Sequence, residues 1–80
     1  MRYVLFIKDS CPYCVKAKEL LEEKQYNFKL VSFDPDQENI LKEIKEAYKW
    51  PTVPMVFQVL DSTQIKFIGG YTDLVKYVGD

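Results

Sequence analysis

Residues 2–14 read Arg2-Tyr3-Val4-Leu5-Phe6-Ile7-Lys8-Asp9-Ser10-Cys11-Pro12-Tyr13-Cys14. The run from Arg2 to Ile7 is apolar and rich in β-branched and aromatic residues. That is the composition of a strand buried on both faces, as at the centre of a parallel or mixed sheet. Lys8, Asp9 and Ser10 form a short polar exit from it. Pro12 suits the first position of a helix, where its missing N–H removes no hydrogen bond. Two cysteines therefore fall where a strand hands over to a helix.

Working outward, the helix is expected to run from Pro12 to about Gln25. Ala17, Leu20, Leu21 and Cys14 share one stripe, while Lys16, Lys18, Glu19, Glu22 and Glu23 face water. Asn27–Phe33 reads as a second strand. Asp34-Pro35-Asp36-Gln37 has the form of a helix start, with Asp34 as N-cap, Pro35 in the first turn and Gln37 placed for a capping box. Ile40, Leu41, Ile44 and Ala47 form the apolar face expected of this second helix. Trp50-Pro51 stops it, because a residue before proline is pushed out of the α region. Met55–Leu60 and Gln64–Ile68 read as strands of an antiparallel hairpin closed by Asp61-Ser62-Thr63. Gly69-Gly70 breaks the last strand. Thr72 is expected to cap a final helix through Val78, with Leu74, Val75 and Val78 available to dock. The first strand–helix–strand unit requires a right-handed crossover and a parallel pair. The fold class is therefore α/β, a four-stranded mixed sheet flanked by three helices in the order βαβ-α-ββα.

The totals narrow the function. Eighty residues are expected to form a single domain, 1–80. Eleven basic residues face twelve acidic ones, a net charge of −1, so there is no basic footprint for nucleic acid and no polybasic membrane signal. No stretch reaches the ~18 apolar residues that span a bilayer. Tyr3–Ile7 is too short for a signal-peptide core, and a cytoplasmic location is the default expectation. Stable structural disulfides are rare there, so a cysteine pair points to redox or metal chemistry. The chain has no histidine, so any thiol must be activated without one.

Cys11-Pro12-Tyr13-Cys14 is a C-x-x-C motif opening a helix directly after a strand, the context that makes the signal strong. One helical turn brings such cysteines to about 5–6 Å between Cα atoms, within disulfide range. Cys11, at the helix N-terminus, faces unsatisfied N–H groups and the positive end of the dipole. Lys8 adds positive charge from upstream. Such surroundings bring a thiol from ~8.5 into the ~3.5–7.5 range. Cys11 is thus the expected nucleophile, and Cys14, one turn inside, the resolving thiol. A purely stapling disulfide is the weaker alternative, because so short a loop removes only ~2 kcal/mol of unfolded-state entropy. A structural zinc site usually takes four Cys or His ligands, and this chain offers two, so no metal is expected unless two chains or external thiols complete a site.

With these residues in view, the sequence resembles the glutaredoxin family, within the thioredoxin fold. Cys-Pro-Tyr-Cys at 11–14 matches the family's dithiol motif, Thr52-Val53-Pro54 its second motif and Gly69-Gly70-Tyr71-Thr72-Asp73 its third. Lys8 matches the lysine ahead of the first cysteine, and the likeness covers the whole chain. The resemblance implies glutathione as co-substrate. Pro54 is then a cis-proline facing the cysteine. Val53 offers its backbone N–H and C=O to an extended peptide, as an added strand does. Lys8 meets the glycyl carboxylate, and Thr72 and Asp73 the γ-glutamyl end. Tyr13 forms one wall; Thr52 and Gly70 complete the set. Plainer readings stay open: Thr72 and Asp73 as helix caps alone, Gly69-Gly70 as a turn, Lys8 as solvated charge, and Phe6, Phe28, Phe33, Phe57 and Phe67 as core. Trp50-Pro51-Thr52 departs toward the monothiol, iron–sulfur-carrying glutaredoxins, but Pro12, Tyr13 and Cys14 do not match that class.

The expected activity is glutathione-dependent reduction of protein disulfides and protein–glutathione mixed disulfides by a monomer. One alternative is a donor reduced by thioredoxin reductase, serving for example ribonucleotide reductase. Another is a cluster carrier in which two chains bridge iron–sulfur through Cys11 and two glutathiones.

Overall fold

Each strand and helix of the computed structural model, which describes residues 2–79, begins or ends at a feature already visible in the chain. Strand β1 spans Arg2–Lys8 and helix α1 Pro12–Glu23. Strand β2 follows at Asn27–Phe33, then a 3-10 turn at Pro35–Gln37 and helix α2 at Glu38–Tyr48. Strands β3, Met55–Asp61, and β4, Gln64–Gly69, precede helix α3 at Tyr71–Tyr77. The sheet order is β2-β1-β3-β4. β1 and β2 run parallel, with Leu5 opposite Leu30. β1–β3 and β3–β4 are antiparallel, with Val4 opposite Phe57 and Phe57 opposite Phe67. The expected α/β architecture is therefore the observed one.

The period-two alternation of β1 divides the interior. Tyr3, Leu5 and Ile7 point to one face, where they meet Ala17 and Leu21 of α1, Val56 of β3 and Leu74 of α3. Leu5, Ala17, Leu21, Val56 and Leu74 are fully buried there. Val4, Phe6 and Ile7 are only half-buried, so β1 is less enclosed than its apolar run implies. A polar group is also enclosed on this face: Gln58 donates to the Tyr3 hydroxyl at 3.4 Å and accepts from that of Tyr77. Burial, then the neighbouring Tyr26 and Tyr77 hydroxyls, push the Tyr3 phenol above its ordinary range.

The opposite face is aromatic. Phe6 packs edge-on to Phe33 at 5.5 Å and against Phe57 at 5.0 Å. Tyr48, at the end of α2, reaches both Phe57 and Phe67, and Trp50 packs edge-on to Phe67. Phe33 and Phe57 are buried and Phe6, Phe28 and Phe67 half-buried, so these rings do serve the interior.

Two local expectations are corrected. The inner stripe of α2 is Leu41, Ile44 and Tyr48, while Ile40, 54% exposed, and Ala47 lie outside it. The 3-10 turn precedes the helix, and the i, i+3, i+7 spacing from Leu41 selects Tyr48 in place of Ala47. Thr72 is not the cap of α3. Gly70 holds that position, and the Asp73 carboxylate accepts the Gly70 N–H at 3.0 Å. The expected capping contact at Gln37 is present: its side chain accepts the Asp34 N–H at 2.9 Å. Helix α2 ends at Tyr48, two residues before Trp50, with Lys49 in the left-handed conformation at φ 53°.

Candidate active site at the start of the first helix

Cys11 is itself the N-cap of α1, with extended backbone at φ −108° and ψ 104°. Ser10, at φ 59°, turns the chain out of the strand just ahead of it. The Cys11 sulfur accepts the backbone N–H of Cys14 at 3.2 Å, the role an Asp or Ser oxygen plays at most helix starts. The two cysteines are joined as a disulfide with Cα atoms 5.2 Å apart. Cys14 is 3% exposed beneath the first turn, whereas Cys11 is half-buried and reachable. That asymmetry separates an attacking sulfur from a resolving one. In the reduced pair, the Cys14 N–H and the helix dipole both favour negative charge on Cys11.

The segment from Trp50 to Pro54 comes up beside this sulfur. The Val53–Pro54 peptide bond is cis, as the resemblance implied, and the Val53 carbonyl oxygen lies 3.9 Å from Cys11 Sγ. A groove of about 270 Å³ opens alongside. Tyr13, Thr52, Val53, Pro54, Gly70, Thr72 and Asp73 all line it, together with Trp50 and Tyr71. Segments distant in sequence, from Tyr13 to Asp73, thus converge on one cleft. Tyr13 stands at its rim, 56% exposed, between the Tyr71 ring at 6.0 Å and the Lys16 ammonium at 5.2 Å. Gly70 has Trp50 atoms 3.6 Å from where a Cβ would sit, so the indole forms the floor next to it.

Lys8 is the one residue of the expected set that does not line this groove. It lies on the other side of Cys11, in a hollow of about 480 Å³ whose wall includes Ile7, Val15, Lys18 and Leu30. There its ammonium is 2.5 Å from a carboxylate oxygen of Glu38, the first residue of α2. The hydrogen bond from Lys8 holds the Glu38 carboxyl below the usual carboxylate range. Glu38, Trp50 and Tyr71 stand at the site in addition to the expected residues. Tyr71 sits between Gly70 and Thr72, both in the expected set, and that adjacency is its signal in the sequence. Glu38 is thirty positions from Lys8 and carries no local sign of the pairing.

The comparisons with known proteins agree with this geometry. The glutaredoxin family profile matches residues 3–67. Glutaredoxin 1 of Escherichia coli strain K12 is 36% identical over 81 aligned positions, covering 98% of this chain and 93% of that protein. Among solved structures, a wheat glutaredoxin superposes with a TM-score of 0.82 at 29% identity, covering all of this chain and 73% of that one. Glutaredoxin 1 of Francisella tularensis superposes with a TM-score of 0.72 at 27% identity, over 96% of this chain and 91% of that one. A thioredoxin-fold sheet with a C-x-x-C pair capping its first helix defines a thiol–disulfide oxidoreductase. The chain belongs to the glutaredoxin family, and Cys11–Cys14 makes it a dithiol member. Membership implies glutathione as the small-molecule partner. No helix among the described residues is long and apolar enough to cross a membrane.

Proposed function

We propose that the groove beside Cys11 is a glutathione site and that the chain reduces protein–glutathione mixed disulfides and protein disulfides in the cytoplasm as a monomer. The observation that carries this reading is the convergence of Tyr13, Thr52, Val53, Pro54, Gly70, Thr72 and Asp73 on one cleft beside the half-buried Cys11. In it, the Val53 backbone pairs with the cysteinyl residue of glutathione. Thr72 and Asp73 receive the γ-glutamyl end, while Lys8, outside the cleft and across Cys11, meets the glycyl carboxylate.

The chemistry needs only thiols. Cys11 thiolate attacks the glutathionyl sulfur of a mixed disulfide. The new bond joins Cys11 to glutathione, and the target leaves as a thiolate that takes up a proton. A second glutathione thiolate then attacks the adduct, releasing glutathione disulfide and restoring Cys11. Alternatively Cys14 attacks Cys11, forming the disulfide seen here and releasing glutathione, and two further glutathiones reduce that disulfide. The first route consumes one free glutathione; the second consumes two and releases one; in both, the target disulfide gains two electrons and one glutathione disulfide forms.

The test is glutathione-coupled reduction of a peptide–glutathione mixed disulfide. Cys11→Ser is expected to abolish turnover. Cys14→Ser is expected to keep much of it, because the glutathione route does not need the second thiol. If neither wild type nor Cys14→Ser turns over with glutathione, the groove is not a glutathione site, and a reductase-fed donor or a cluster carrier replaces this reading.

A further inference from the structure

The Lys8–Glu38 pair lies across Cys11 from the groove, and the bond recorded for it is between its own two charges and not to either sulfur. Lys8 is about one-third exposed and Glu38 about half, and their contact at 2.5 Å joins the end of β1 to the first residue of α2. An ammonium that is to meet the glycyl carboxylate is, in the ligand-free chain, already engaged by a carboxylate of the same charge and shape. The two acceptors compete for one cation.

We propose that Glu38 is a built-in competitor for the glycyl carboxylate: a positioning residue that occupies Lys8 until a glutathionyl group displaces it, and that thereby sets how tightly the site holds glutathionyl substrates. This inference rests on the glutathione reading of the groove. Displacement exchanges one exposed ion pair for another, so the effect is modest and weakens as salt screens both. Glu38 makes no contact with Cys11 among those the structure records; Lys45 also acts on its charge, but its hydrogen bond is with Lys8, so its influence acts on binding and passes through Lys8.

The experiment compares wild type with Glu38→Gln on two substrates. The first is a peptide–glutathione mixed disulfide. The second is the same peptide carrying glutathione esterified at the glycyl carboxylate. Glu38→Gln is expected to lower KM for the first about two- to fivefold, with the change in KM and not in kcat, and to leave KM for the ester unaltered. An unchanged or raised KM for the first substrate overturns the inference. So does an equal fall for both substrates, which would mean that Glu38 acts on the sulfur or on the fold and not through the glycyl carboxylate. If wild type turns over neither substrate, the glutathione reading itself has failed. If wild type is active and Glu38→Gln matches it, only the competitor role is lost.

Discussion

At position 69 the backbone adopts φ +127°, a region that side chains rarely enter, and a Cβ built there would lie 2.5 Å from Asp73 Oδ2. The strand β4 can therefore turn into α3 only because Gly69 carries no side chain. That turn places Gly70 and Asp73 in the groove, and the Asp73 carboxylate spends one oxygen on the Gly70 N–H. Gly69→Ala is expected to destabilise the protein by about 1–3 kcal/mol, read as a lower urea midpoint. An unchanged midpoint would show that Asp73 can move aside at no cost. Cys11 is the other residue whose place decides its role. Its sulfur sits at the helix start as a cap, so the groups that stabilise the helix also favour its thiolate.

Among the elements, the β3–β4 hairpin has its own electrostatic fastening. The Asp61 carboxylate accepts the Thr63 N–H at 2.8 Å and the Thr63 hydroxyl at 2.9 Å. The Thr63 backbone bond, then its hydroxyl and the Gln64 N–H, hold the Asp61 carboxyl below its ordinary value. Glu38 is held down in the same direction by Lys8. A carboxyl that is more acidic in the folded chain binds fewer protons there than in the unfolded chain. Its contribution is therefore present above the ordinary carboxylate range and lost as pH falls through the lowered value. Urea midpoints measured down a pH series are expected to decline through the acid range. Asp61→Asn, which keeps an acceptor but cannot titrate, should make that decline shallower. A slope identical to wild type would remove Asp61 from the account.

Across the molecule, the sheet divides two interiors of different character. The α1–α3 side is aliphatic and closed, with Leu5, Leu21 and Leu74 at no exposure. The α2 side is a layer of tilted rings with Tyr48 and Ile65 still open to water. The closed side carries α1 and hence the cysteine pair. Leu21→Ala is expected to cost about 2–5 kcal/mol, because surrounding strands and helices cannot collapse into the space. A chain of this size has roughly 4–12 kcal/mol in total, so the loss is a large fraction. The expected result is a lower urea midpoint with the same denaturant slope; a change in slope would mean that the denatured state had altered instead.

Much of this was written locally. The apolar run of β1, Pro12 after Cys11, the Asp34-Pro35 start, the Asp61–Thr63 turn and the Gly69-Gly70 break act over a few residues, so their outcomes were legible one element at a time. The cysteine pair was legible for the same reason: three positions on a helix fix its separation without help from the rest of the chain. The groove-lining residues were named through resemblance, and only folding shows that Tyr13, Thr52–Pro54 and Gly70–Asp73 share one cleft. The cap of α3 was misplaced because Gly70 and Thr72 both suit a helix start, and the choice fell to how β4 delivers the chain to Asp73. The α2 stripe was misplaced because spacing alone does not say which rings of the sheet a helix will meet. The resemblance implies Lys8 as a glutathione contact, and nothing near it in sequence says that Glu38 also reaches its ammonium. A pairing across thirty residues is a property of where β1 ends and α2 begins in space, and only the tertiary structure decides it.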